Sequence, residues 1–208
     1  MLDRELVEEV LRVARRNGGW FAEVFAEERT STSIRLDDGK IEELTTGLDR
    51  GAGVRVARGA TYGYAYSNRL DRDSLLSAAE AASAASRGDA AGRVVALSER
   101  AGPGTNRAER PAAELPAATK VGWLREVDEV ARGVSDEVAQ VTGVYADSLQ
   151  RRLIAASDGR WIREDRPRIR LVAQVVARRG EVIQTGWHGP AACSGVEFLD
   201  AHPPSVTA

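Results

Sequence analysis

DRGAGVRVARGATYGYAYSN, residues 49–68, reads with a period of two. Val54 and Val56 fall on one face of an extended strand and Arg55 on the other, because successive side chains point to opposite faces. Arg58-Gly59-Ala60 interrupts the pattern, and Gly59 sits where a tight connection needs positive φ. In the next run Tyr62, Tyr64 and Tyr66 share one face, and Gly63 and Ala65 share the other. The small face leaves room for another backbone or a ligand to lie close. The stretch predicts a glycine-rich hairpin around which the rest of the chain is scaffolding.

Upstream, Asp3 is placed to cap a helix whose Leu6, Val10, Val13 and Ala14 keep helical spacing until Asn17-Gly18-Gly19. Residues 20–29 alternate as a strand, and 30–36 are rich in β-branched residues. Asp38-Gly39 is a hairpin signal, and 41–48 return the chain to the opening stretch. Downstream, Asp71 or Asp73 can cap a helix with Leu75, Leu76, Ala79, Ala82 and Ala85. Residues 88–116 collect Gly, Pro, Ala, Ser and Arg without periodicity and read as an exposed connection. A second helix is expected over 119–140, with Val121, Leu124, Val127, Val130, Ala131, Val134 and Val138 as its stripe. Strands follow over 141–148 and 153–156, a turn at Ser157-Asp158-Gly159, and strands over 161–163, 169–177 and 181–185.

The two halves share a plan. Asp38-Gly39, Asp49-Arg50 and Arg58-Gly59 in the first correspond to Asp158-Gly159, Asp165-Arg166 and Arg179-Gly180 in the second. The match reads either as an internal duplication or as recurring turn chemistry. The expected fold class is α+β, with helices packed on a mixed or antiparallel sheet built from two intertwined helix-plus-strands repeats. Expected boundaries are 1–87 for the first repeat, 88–118 for the linker, 119–186 for the second repeat and 187–208 for an irregular tail.

Of the 208 residues, 43% are hydrophobic and 29% charged, which fits a globular chain with a core. The net charge of −2 gives no field favouring nucleic acid, so no direct nucleic-acid contact is expected. The acidic start lacks the pattern of a signal peptide, and no apolar run reaches a membrane-spanning length. No membrane association is expected. A lone Cys193 forms no internal disulfide and fits a reducing compartment, so the expected location is cytoplasmic.

Familiar catalytic arrangements are absent. Neither His188 nor His202 is followed by glutamate, so no HExxH-type motif occurs. His188, Cys193 and His202 lie in a Gly/Pro-rich tail without a helix to set metal geometry. Gly51 and Gly53 lead into a strand rather than a helix, so no pyrophosphate cradle is predicted. Asp49 and Asp165 each precede an arginine and read as turn or salt-bridge residues at strand starts. Arg55 reads as a solvated arginine or as a hold for a carboxylate or peptide carbonyl. The tyrosine stripe reads as core packing with hydroxyls at the rim, or as a stacking surface for a ligand.

Residues 21–86 resemble the N-terminal domain of the TldD/PmbA family, once described as modulators of DNA gyrase. The resemblance rests on Asp38-Gly39-Lys40-Ile41-Glu42, on residues 49–56, on Gly63-Tyr64-Ala65-Tyr66-Ser67-Asn68, and on the alanine-rich helix after Asp71. It continues through residues 120–132, Ser157-Asp158-Gly159 and Asp165-Arg166-Pro167-Arg168-Ile169-Arg170-Leu171, with the TldD branch the closer match. The resemblance implies a zinc metallopeptidase acting on peptides, assembled as a homodimer or as a heterodimer with a TldD/TldE-type chain. Its zinc is expected only in a C-terminal domain beyond this sequence, bound by an HExxxH helix and a cysteine, so no cofactor is expected in this chain. The chain then corresponds to a native module or a truncated frame, inactive alone, that guides substrate and forms the dimer. The alternative is a non-enzymatic module that modulates a full-length relative. Candidate peptide-contact residues are Gly51, Gly53, Arg55 and Tyr64; no catalytic or metal residue is expected.

Overall fold

A computed structural model describes residues 2–86, 96–101 and 108–207. The elements in chain order are α1 (Arg4–Arg15), β1 (Phe21–Asp37), β2 (Lys40–Arg58), β3 (Thr61–Ser67), α2 (Arg72–Ala85) and β4 (Ser98–Ala101). They continue with α3 (Ala117–Gly133), β5 (Val138–Ala156), β6 (Arg160–Arg179), β7 (Val182–His188), β8 (Ala191–Ala192), α4 (Phe198–Ala201) and α5 (Pro204–Thr207). The strand order is β3-β2-β1-β5-β6-β4, with β7 and β8 also pairing β6. β2–β3 and β6–β7 are antiparallel, and β4–β6 is parallel. This is the α+β class, with a mixed and mainly antiparallel sheet.

The common plan of the two halves is present in the backbone. α1-β1-β2-β3 has strands of 17, 19 and 7 residues, and α3-β5-β6-β7 has strands of 19, 20 and 7. Turns at corresponding places carry positive φ, at Asp38-Gly39 (49° and 78°) and Gly59 in the first half and at Gly159 and Gly180 in the second.

The chain divides into two compact units that are not sequential blocks. The first holds the described residues of Met1–Arg29, Asp49–Thr105 and Gln150–Asp165. Its core joins Val7, Val10, Leu11 and Ala14 of α1 to Val24, Val54, Val56, Leu75, Ala79, Ala82, Leu153 and Trp161. The Asp3 carboxylate accepts from Leu6 N–H at 2.8 Å, and Asp71 rather than Asp73 caps α2, accepting from Ser74 N–H at 3.0 Å. Glycine at position 63 lets α2 lie on β3, since a Cβ there would come 1.8 Å from the Ala82 carbonyl oxygen.

The second unit holds the described residues of Thr30–Leu48, Asn106–Leu149 and Arg166–Ala208. Its core joins Ile34, Leu36, Leu124, Val127, Tyr145, Ile169, Leu171, Val196 and Leu199. Within it, Lys120 Nζ meets Asp147 Oδ2 at 2.7 Å with both side chains buried, and lies 5.6 Å from the Tyr145 ring centroid. Burial, then the Asp147 charge, push the Tyr145 phenol well above its ordinary range.

Several expectations change. The segments 20–29 and 30–36 fall in one strand, Phe21–Asp37, and 141–148 and 153–156 fall in another, Val138–Ala156, since each strand runs unbroken through the polar residues between them. The helix expected to reach 140 ends at Gly133; Val134 is 75% exposed, and Val138 N–H closes a turn onto Ser135 O before β5 begins. Of the expected connection, 88–95 and 102–107 lie outside the described residues. Within the remainder, Ser98–Ala101 is a strand because it finds a parallel partner in β6, and Ala112–Glu114 forms a 3-10 turn. The tail is structured rather than irregular: β7 runs to His188, and Val196 and Leu199 join the second core. Glu197 fixes that segment by accepting from Ser194 Oγ at 2.7 Å and from Gly195 and Arg110 N–H at 2.8 and 3.0 Å. No helix among the described residues is long and apolar enough to cross a membrane.

Candidate functional site

Within the first unit, β1, β2 and β3 bury Ala22, Val24, Val54 and Val56 on the helix side. Period two then sends Phe21, Glu23, Phe25, Glu27, Gly51, Gly53, Arg55 and the tyrosines to the other side. There a cleft of about 270 Å³ is lined by Phe25, Glu27, residues 49–53, Tyr64, Tyr66, Ser67 and Asn68.

Gly53 and Tyr64 are fitted to each other. A Cβ on residue 53 would fall 2.5 Å from Tyr64 Oη and 2.9 Å from its Cε2, so the phenol lies across the bare backbone of β2. Tyr66 stacks on Tyr64 at 6.4 Å between centroids. At the cleft's end, a Cβ on residue 51 would sit 3.1 Å from Ser67 O. Ser67 Oγ donates to Arg69 O at 2.9 Å and accepts from Arg69 N–H at 3.0 Å, holding the exit of β3. Asp71 follows, its pKa lowered to about 2 by the Ser74 backbone N–H, then the Ser74 side chain and Arg69.

Three of the four expected contact residues, Gly51, Gly53 and Tyr64, therefore line one cleft. Arg55 does not line it. Its Nη2 pairs with Glu23 Oε1 at 3.2 Å, and its guanidinium lies 5.9 Å from the Phe21 ring centroid, which Arg160 approaches at 5.7 Å. Arg55 is thus ion-paired rather than simply solvated.

The tyrosines are not core. Tyr62, Tyr64 and Tyr66 are 69%, 64% and 78% exposed, because the helix takes the glycine side of β3 and leaves the aromatic side open. Asp49 and Asp165 lie inside β2 and β6 rather than at strand starts, since both strands run on through them. Sequence reading missed Phe25, Glu27, Ser67 and Asn68 as lining residues. The alternation over 20–29 carried the signal for the first two. It also missed the Lys120–Asp147 pair, although Lys120 stands one helical turn before Leu124 on the buried stripe of α3.

His188 ends β7, Cys193 is exposed, and the His202 ring stacks on Phe198 at 4.4 Å. Among the described residues no three His, Cys, Asp or Glu side chains are grouped as a metal site requires.

Two family models cover most of the chain. PmbA/TldA metallopeptidase domain 1 matches residues 22–86, and the PmbA/TldA metallopeptidase central domain matches residues 110–202. The chain belongs to the PmbA/TldD metallopeptidase family. It is 27% identical over 186 residues to a Metalloprotease TldD homolog of Haemophilus influenzae, covering 86% of this chain and 38% of that protein. A metalloprotease of Methanothermobacter thermautotrophicus is 26% identical over 181 residues, covering 86% of this chain and 39% of the relative. The chain thus spans well under half the length of these relatives. A Thermotoga maritima protein described as a modulator of DNA gyrase shares the fold at TM-score 0.77 and 16% identity, over 98% of this chain and 46% of that one. TldE from Thermococcus kodakarensis shares it at TM-score 0.71 and 18% identity, over 90% and 43%.

Proposed function

We propose that this chain is the substrate-guiding and dimer-forming framework of a metallopeptidase of this family, and that peptide-bond cleavage belongs to residues outside it. The observation that carries the reading is the open cleft beside β3, where Tyr64 lies over Gly53 and Tyr66 stacks on it. Among the described residues β3 ends the strand order, so its outer edge is available for an extended peptide to add by main-chain hydrogen bonding. The exposed phenols of β3, next to that edge, then receive alternate side chains of the peptide. Main-chain pairing makes such a site tolerant of sequence, which suits a guide better than a selective receptor. The homologues' metalloprotease names and the absence of any His-Glu pair in this sequence support assigning hydrolysis elsewhere.

The test is fluorescence anisotropy with a labelled, unstructured casein-derived peptide. Wild type is expected to bind. Tyr64→Ala is expected to weaken binding by roughly tenfold, corresponding to about 1.5 kcal/mol for an aromatic contact. Equal binding by both proteins would remove Tyr64 and its cleft from the reading, and no binding by wild type would end it. Chelator-sensitive hydrolysis of the peptide by the purified chain would overturn the assignment of cleavage to other residues.

A further inference from the structure

We propose that β7 is the edge through which this chain pairs with a second copy of itself, strand against strand about a two-fold axis. The inference rests on the dimer-forming part of the reading above and names its surface. β7 pairs with β6 from Ala173↔His188 to Arg179↔Val182 in unbroken antiparallel register. Among the described residues β6 is its only strand partner, so one side of its backbone has no ladder. All seven residues are exposed, with Val182 at 59%, Ile183 at 58% and Trp187 at 73%.

Natural sheets protect such an edge with charge, proline or a bulge, because unpaired N–H and C=O groups recruit another strand. β7 has none of these. From Val182 to Val196 there is no Asp, Glu, Lys or Arg, in a chain that is 29% charged, and Pro190 comes after the strand ends. The register with β6 contains no bulge. In the same unit, residues 40–48 of β2 are also exposed but carry Lys40, Glu42 and Glu43. One exposed strand of this unit is defended and the other is not.

That contrast selects the partner. Pairing β7 with β2 of another copy would bring the uncharged strand against one that carries Glu42 and Glu43, and such a head-to-tail contact closes only where its rotation generates a ring. Two β7 strands related by a two-fold axis close after two copies. An axis at Thr185, the centre of the strand, places Ile183 opposite the partner's Trp187 and Gln184 opposite the partner's Gly186. Ile183 and Trp187 share one face by period two, so the apolar pair forms twice with no charge opposite it.

The experiment is analytical ultracentrifugation of the purified chain with two sets of variants. Wild type is expected to sediment as a dimer. Trp187→Glu, at an exposed position and checked for native circular dichroism, is expected to raise the dimer dissociation constant at least tenfold. In a Cys193→Ser background, Thr185→Cys is expected to be joined to its partner copy by a short bismaleimide, whereas Ser77→Cys on α2 is not. A wild-type monomer, a dimer unaffected by Trp187→Glu, or equal cross-linking at 77 and 185 would overturn the proposal. Peptide anisotropy reports on the Tyr64 cleft separately, and the monomeric Trp187→Glu protein is expected to keep it. A dimer insensitive to Trp187→Glu removes β7 alone, while loss of peptide binding removes the guide.

Discussion

Replacing Gly63 by alanine tests whether β3 and α2 are fitted backbone to backbone. The backbone at Gly63 is not left-handed, so alanine loses less entropy there, a gain of roughly 0.5–1 kcal/mol. Against this, the added methyl would stand 1.8 Å from the Ala82 carbonyl oxygen and 2.9 Å from the Ser86 nitrogen. Both are backbone atoms, so no rotamer change relieves the contact, and α2 must retreat from β3. Overpacking costs about 1–3 kcal/mol, and a backbone clash belongs at the upper end of that range. The net expectation is a loss of about 2 kcal/mol, which for a chain of this length lowers Tm by roughly 4–8 °C. Thermal unfolding followed by circular dichroism measures it. Gly122→Ala is the control: it lies inside α3 with nothing within 4 Å of its added Cβ. It is expected to raise stability by up to about 1 kcal/mol. Ala82→Gly should not rescue Gly63→Ala, because the clashing atom is a carbonyl that every residue carries. A Gly63→Ala protein melting within a degree of wild type would show that the close approach is not a constraint.

Other outcomes follow from the same geometry. Lys120→Met leaves Asp147 buried without its 2.7 Å partner and is expected to cost about 3–5 kcal/mol, while Lys120→Met with Asp147→Leu recovers most of it. Urea unfolding of the four proteins in that cycle decides it, and a single mutant as stable as wild type would refute it. Asp71 and Glu197 both have folded pKa values lowered to about 2. For Glu197, burial works in the raising direction and the Ser194 hydroxyl and backbone N–H groups overcome it. Depressed carboxylate pKa values stabilise the fold above the unfolded pKa, and that contribution is lost as pH falls from about 4 toward 2. Asp71→Ala is expected to flatten this acid limb of the melting-temperature profile, and an unchanged limb would argue against the cap.

The sequence by itself determined most of the local elements and the family. Period-two alternation, Asp-Gly turns and helix caps are properties of neighbouring residues, so α1, α2, the body of α3, the hairpin at 49–68 and the shared plan of the two halves were legible. Gly51, Gly53 and Tyr64 were legible as a group for the same reason, since register follows from the turn at Gly59. Only the tertiary structure decided which side of each strand is covered. Alternation shows that Tyr64 and Gly63 face opposite ways, but it does not say which way meets a helix. The Ala82 carbonyl, whose oxygen would lie 1.8 Å from a Cβ at Gly63, settles that and leaves exposed the tyrosines whose spacing fitted either a core or a ligand-stacking surface. Non-local pairing also decided the fate of Arg55, which meets Glu23 across 32 positions, and of Ser98–Ala101, which becomes a strand through β6. Such contacts depend on where distant segments come to lie, and no short window of sequence records that.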